Sequence, residues 1–262
     1  MFFKNRLKKM IKLLIKKMGY ELKKISEGSV SQHYDAFFAQ EYLFSGSEVK
    51  TIFDVGANVG QTASEYSKRF KEAKIFCFEP FKTTFESLLD NFKNNDLIKP
   101  FNLAISDSIG NRTFFFNRAD TTNSLLQISS CCNNYVDHKL VENLGSSTVS
   151  TTTLDTFCKK EEINNIQILK MDIQGGELMA LQGATNLLNL QAIDLIYTEI
   201  LFASLYDGQT NFYDLCEFLQ KKKYFLYGIY NLNYGRNTTL AWGDAIFVSS
   251  NIQDKLNRQL SE

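Results

Sequence analysis

Four carboxylates sit where a nucleoside-like ligand and a reacting group would need them: Asp54, Glu79, Asp172 and Glu199. The first stands in "TIFDVGANVG", where three apolar positions run into an Asp and then into a loop holding Gly56, Asn58 and Gly60. A glycine-rich turn between a strand and a helix lets backbone approach a ligand that a Cβ would repel. The pattern is D-x-G-x-N-x-G and lacks the third glycine of a dinucleotide loop. An acid before the first glycine also disfavours a pyrophosphate. Glu79 ends the next apolar run, "AKIFCFEP", 25 positions after Asp54. An acid there accepts hydrogen bonds from ribose hydroxyls. The pair therefore calls for a ligand with a ribose, no pyrophosphate and a positive centre. S-adenosylmethionine has those features.

The second pair lies at the other end of the chemistry. In "ILKMDIQGGE" and "IDLIYTEI", Asp172 and Glu199 each close an apolar run. Transfer of a group from such a ligand requires in-line placement of the accepting atom and, where that atom carries a proton, its removal by a base or with help from a metal ion. Asp172 is the first candidate for the base. Glu199 is its expected neighbour and can pair with it around Mg²⁺. Lys170, two positions before Asp172, is expected on the same side of its strand, where it would tune that carboxylate. Glu177 opens a helix, so a capping role competes with one in the site. His138 is a lone loop histidine, more simply solvated than catalytic. Asn123 and Ser124 are expected to close over the ligand. Phe202, Tyr206, Phe212 and Tyr213 offer either an acceptor wall or core packing.

These residues must be carried by alternating strands and helices. "TIFDVG", "AKIFCFEP", "KPFNLAIS", "IQILKMDI" and "AIDLIYTEI" read as strands. Helices are expected over residues 35–44, 61–70, 83–92, 177–190 and 212–222, and the last two apolar runs, around a Gly/Asn-rich turn, suggest an antiparallel hairpin. That rhythm predicts a mostly parallel, doubly wound α/β sheet with its ligand beyond the strands' carboxyl ends. Residues 106–165 break the rhythm. "NRTFFFN" and "STVSTTTLD" look like short strands around an aperiodic stretch, the pattern of a functional insertion such as a lid. No composition shift marks a second domain, so residues 46–262 are expected to form one domain behind an extension of residues 1–45.

Bulk composition excludes several classes. Lys plus Arg equals Asp plus Glu at 29 each, so no global charge favours nucleic acid. The five cysteines show no CxxC and only two histidines accompany them, which suits a reducing cytoplasm and no zinc site or disulfide framework. Residues 1–24 carry nine basic side chains against Glu21, and Leu7, Met10, Ile11, Leu14, Ile15, Met18 and Leu22 recur at helical spacing. Such a helix can lie on the anionic inner face of a membrane, or pack on the domain or another subunit. Oligomeric state is not written in the sequence.

The segments "FDVGANVGQTASEYSKRF", "NLAISDSIGNRTFFF", "TTTLDTFC", "ILKMDIQGGELMALQGA", "IDLIYTEI" and "LYDGQTNFYDLCEFLQKKKYFLYGIYNL", in that order, resemble the FkbM-type S-adenosylmethionine-dependent methyltransferases. The resemblance runs from about Thr51 to Ser249. It implies the class I (Rossmann-like) methyltransferase fold, with a seven-stranded, mostly parallel sheet whose last strand is antiparallel. It also implies O-methylation of a sugar or natural-product hydroxyl, with Asp54, Gly56, Asn58, Gly60, Glu79 and Asp172 around the cofactor. "AISD" is placed at the adenine, with Ser106 and Asp107 as contacts. Lys-, Asn-, Ile- and Phe-rich usage associates such chains with AT-rich bacteria and surface polysaccharides. Two other readings share the frame. A nicotinamide-dependent sugar oxidoreductase is disfavoured by Asp54, by the absent third glycine and by the lack of a Tyr-x-x-x-Lys pair in a plausible place. A non-catalytic module that recruits partners through its N-terminal helix is disfavoured by the intact carboxylate set.

Overall fold

A computed structural model describes residues 35–259. The basic segment of residues 1–24 lies outside them. Among the described residues no helix is long and apolar enough to cross a membrane.

The central strand, β1 (Thr51–Val55), is flanked by β2 (Lys74–Phe78) and β7 (Ile166–Met171), both parallel to it. Beyond them come β3 (Ile98–Phe101) on one side, and β8 (Ile193–Leu201), β10 (Leu240–Ser249) and β9 (Tyr224–Tyr234) on the other. The seven strands run in the order β3-β2-β1-β7-β8-β10-β9, with β10 antiparallel to both neighbours. This is the expected topology. Strand alternation gives the sheet two apolar faces. Phe53, Phe78 and Leu169 pack on one with α4 (Leu154–Lys160), α5 (Glu177–Gln182), α6 (Thr185–Asn189) and α7 (Phe212–Lys221). Ile52, Ile75 and Ile168 pack on the other with α1 (Ala36–Leu43), α2 (Gln61–Arg69), α3 (Lys82–Phe92) and α8 (Ser250–Gln259).

Helix α1 falls within the expected extension, yet it belongs to the core. Ala36, Ala39 and Leu43 are buried, and Gln40 Oε1 accepts from the buried Tyr66 hydroxyl at 2.9 Å. Asp35 caps it, accepting from the Phe37 and Phe38 N–H groups.

Three local expectations change. "KPFNLAIS" is not one strand. After β3, Asn102 Nδ2 donates to the carbonyls of Glu79 and Pro80, and the chain turns away into β4 (Ala104–Ile105). β4 joins a second sheet of order β4-β6-β5, with β5 (Gly110–Asn117) antiparallel to β6 (Asn143–Thr152). The expected helix over residues 177–190 breaks between α5 and α6 at Gly183. A Cβ there would lie 2.2 Å from Ser106 O, so only glycine lets the two backbones pass. The aperiodic stretch, expected as an insertion such as a lid, is hydrogen-bonded to the loops it faces. Ser124 Oγ donates to Gln174 O at 2.8 Å, and backbone bonds join Ser129 to Leu205 and Asp207 to Gln127. The insertion is stitched to the loops it faces and forms a wall.

Candidate active site

The β1–α2 loop is built around close backbone approach. The Gly56 and Ala57 N–H groups both donate to Phe78 O at 3.0 Å, folding the loop over the end of β2. Gly56 has φ +77, and a Cβ on it would meet Asp172 O at 1.9 Å. Gly56→Ala must therefore displace the Asp172 turn as well as strain its own backbone. It is expected to cost about 2–5 kcal/mol, read as a lowered urea midpoint. Gly60 is also required by packing. Its φ is +94, a Cβ would strike the Phe92 ring at 2.2 Å, and it precedes α2 without lining a cavity.

Glu79 is the loop's anchor. Oε2 accepts from Asn58 N–H at 3.0 Å and Oε1 from Phe81 N–H at 2.8 Å, leaving the remaining lone pairs for a ligand. Burial pushes this carboxyl up to about 7, against the two backbone donors that pull it down. A folded value above the unfolded 4.5 gives stability that is complete below about pH 4.5 and lost as pH rises through 7. The melting temperature of the natural chain relative to Glu79→Gln should thus fall by about 3–8 °C between pH 5 and pH 8. A flat difference across that range would show that Glu79 is ionised in the free protein.

Asp54 is fully buried and does not reach the cleft wall. It pairs in register with Lys170 across β1 and β7, and Lys170 Nζ lies 3.0 Å from Asp54 Oδ1 and 3.1 Å from Gly56 O. Burial disfavours this ammonium, but Asp54 and Asp172 outweigh it and hold Lys170 charged above the usual lysine range. Lys170 thus neutralises Asp54 and ties the loop down. The expected partnership with Asp172 is only a longer-range attraction.

Asp172 leaves the end of β7 with its N–H on Val55 O and its side chain exposed to the cleft. Its Oδ1 accepts from Gln174 Nε2 at 2.6 Å, and the same nitrogen donates to Glu199 Oε2 at 3.0 Å. Gln174 Oε1 accepts the Tyr206 hydroxyl at 2.6 Å. Burial, then Asp172, Glu177 and Asp244, push the Glu199 carboxyl well above the carboxylate range. The fold therefore brings Asp172 and Glu199 together, with the Gln174 amide in the gap that a shared Mg²⁺ would need. Among the described residues no three His, Cys, Asp or Glu side chains converge to hold an ion. Glu177 lies beneath the turn, buried, its Oε1 accepting from Ile173 N–H at 3.0 Å, and burial raises it to about 7. His138 stands in solvent beside Asp137. Phe202 and Phe212 pack at the core's edge with ring centroids 5.2 Å apart, and Tyr213 is exposed, so only Tyr206 of the four aromatics joins the site.

Two cavities meet at Gly56, Phe114 and Asn123. One is an apolar slot of about 40 Å³ between Phe78, Pro80, Leu103, Ile105 and Leu125. The other, about 290 Å³, is polar and runs from Glu79 and Asn58 past Gln61, Thr62 and Asp120 to Asp172 and Gln174. Ser106 and Asp107 line neither. Ser106 is buried against Gly183, and Asp107 is paired with Arg112, so the slot is walled by the residues just before them. Gln61, Thr62, Asp120 and Gln174 carried no signal as isolated polar residues. The turn of Gln174, Gly175 and Gly176 is the feature that could have pointed to one of them.

Residues 54–226 match the methyltransferase FkbM domain. The 2-O-methyltransferase NoeI of Sinorhizobium fredii is 29% identical over 162 residues, covering 60% of this chain and 66% of that protein. The hexuronic acid methyltransferase AglP of Haloferax volcanii is 30% identical over 159 residues, covering 60% of this chain and 59% of its own length. Among solved structures, the METTL16 methyltransferase domain superposes with a TM-score of 0.47 at 14% identity, over 90% of this chain and 76% of that one. With a family match that starts at the buried Asp54 and spans both the Glu79 loop and the Asp172–Glu199 edge, the chain belongs to the FkbM-domain methyltransferases.

Proposed function

We propose that this methyltransferase moves the methyl group of S-adenosylmethionine to a hydroxyl of a sugar or glycan, in the building of a bacterial surface polysaccharide or natural product. One observation carries the reading. A single cleft holds the Glu79 carboxylate and an apolar slot at one end, and Asp172 and Gln174, with Glu199 bonded behind them, at the other. The cleft fits the cofactor. Glu79 keeps acceptor capacity for ribose hydroxyls, the slot suits a flat base, and the bare Gly56 backbone admits close approach. Asp120 and Asp172 in the lining suit a sulfonium, and the charge of Lys170 beside them is offset by Asp54.

S-adenosylmethionine supplies a methyl group on a positively charged sulfur that needs no protonation to leave. The work left to the chain is alignment and proton removal. Asp172, exposed to the cleft and fixed through Oδ1, holds a second oxygen for the acceptor proton. Glu199, held toward its protonated form, adds no second negative charge beside it. The 2-O-methyltransferase and hexuronic acid methyltransferase relatives support a sugar acceptor.

The test is transfer of labelled methyl from S-adenosylmethionine to a panel of neutral sugar nucleotides, uronic acids and lipid-linked glycans. Label in at least one acceptor is expected. Calorimetric binding of S-adenosylhomocysteine with no labelled acceptor would favour a cofactor-binding module over an enzyme.

A further inference from the structure

The polar cleft contains a side chain that the reading above leaves without a task. Gln174 sits on the turn after β7 with φ +55, a left-handed conformation uncommon for a residue with a Cβ. Its backbone is held from two sides. Ser124 Oγ donates to Gln174 O at 2.8 Å, and the next residue, Gly175, lies so close to Gln209 that a Cβ would approach it to 3.0 Å. Its side chain is used completely. Both amide hydrogens are engaged, one by Asp172 and one by Glu199, and Oε1 takes the Tyr206 hydroxyl. That hydroxyl also faces Thr122 O at 3.2 Å, on a buried ring. The backbone beneath it is clamped by Gln209, whose Oε1 accepts from the Leu205 and Tyr206 N–H groups at 2.7 and 2.8 Å. The tyrosine thus fixes which way the amide faces.

We propose that Gln174 is a positioning residue that joins Asp172 and Glu199 into one hydrogen-bonded pair and aims the Asp172 carboxylate at the acceptor. The proposal rests on the catalytic reading given above. The charges around the pair explain why an amide is needed there. Asp172 follows β7, Glu177 stands on α5, Glu199 on β8 and Asp244 opposite it on β10. The nearby cation is Lys170, and its ammonium is committed to Asp54 and Gly56 O. Tyr206, Tyr197 and the Cys132 thiol add further titratable groups but no positive charge. Without two N–H donors between them, Asp172 and Glu199 would face each other unscreened. The Asp172 carboxylate would lose its amide donor and with it its fixed orientation.

The experiment compares Gln174→Leu and Tyr206→Phe with the natural chain by carboxyl ¹³C titration in NMR, with Asp172→Asn and Glu199→Gln proteins assigning the resonances. Removing donors from an ionised carboxylate raises the pH at which it titrates. In Gln174→Leu, Asp172 should titrate about 1 pH unit higher. Tyr206→Phe, which keeps the amide but frees it to turn, should move it the same way by less. S-adenosylhomocysteine affinity, measured by calorimetry, should stay within about threefold, while methyl transfer to the acceptor found in the panel drops about 10²-fold in Gln174→Leu. An unmoved Asp172 titration, or cofactor affinity falling in step with turnover, overturns the proposal. If Gln174→Leu does not fold, Tyr206→Phe decides by the same readouts. Normal turnover in Asp172→Asn would instead remove the catalytic reading, and the titration would still report whether Gln174 couples the two carboxylates.

Discussion

Asp172→Asn is expected to lower methyl transfer by about 10² or more, the range of a positioned acid or base, while S-adenosylhomocysteine still binds within several-fold of the natural chain. The substitution keeps the side chain's shape. It removes the charge that accepts a proton and reverses one hydrogen-bonding partner, since an amide can present –NH₂ to Gln174 Nε2 where a carboxylate presents only oxygen. The backbone should be undisturbed, because Asp172 enters the turn through its own N–H on Val55 O and the side chain is exposed. Single-turnover rates with labelled cofactor, set beside calorimetric affinity, separate chemistry from binding. Near-normal turnover in a folded Asp172→Asn protein would leave Asp172 a purely structural part of the turn.

The second large effect belongs to the cofactor end. Glu79→Ala should weaken S-adenosylhomocysteine binding by at least about tenfold. Two charge-assisted hydrogen bonds to ribose are lost, each of order 1.5–3 kcal/mol before compensation by water. The same change strips the Asn58 and Phe81 N–H groups of their acceptor, so the β1–α2 loop loosens as well. Glu79→Gln separates the two causes. It preserves one side-chain oxygen for a backbone donor but not two, and should fall between the natural chain and Glu79→Ala. Unchanged affinity in folded Glu79→Ala would remove the ribose assignment.

Much of the frame is legible in residue order because strand and helix signals are local. Asp54, Glu79, Asp172 and Glu199 each close an apolar run, and closing a parallel strand places a residue at the carboxyl edge where such sheets bind ligands. The misread elements fail where a contact distant in sequence overrides the local pattern. Gly183 reads as a tolerable interruption in a helix, yet the chain breaks there because Ser106 passes 77 positions away in sequence. "KPFNLAIS" has continuous strand character, but Asn102 ties it to the end of β2 and sends its second half into another sheet. Ser106 and Asp107 come directly after Ala104 and Ile105, which wall the slot, and line neither cavity themselves.

The sequence by itself determined the doubly wound sheet with its antiparallel last strand, the acid-glycine loop and the order of the four carboxylates, since periodicity and strand-end placement are properties of neighbouring residues. Only the tertiary structure decided what each carboxylate touches. It buried Asp54 on Lys170 because strand register sets β1 against β7, and it gave Glu79 two backbone donors because the loop folds back over β2. It also placed Gln174 between Asp172 and Glu199, through a turn fixed by Ser124 and Tyr206 from distant parts of the chain. Hydrogen-bond partners separated by 25 to 50 positions are set by how loops meet above the sheet, and no local pattern encodes that meeting.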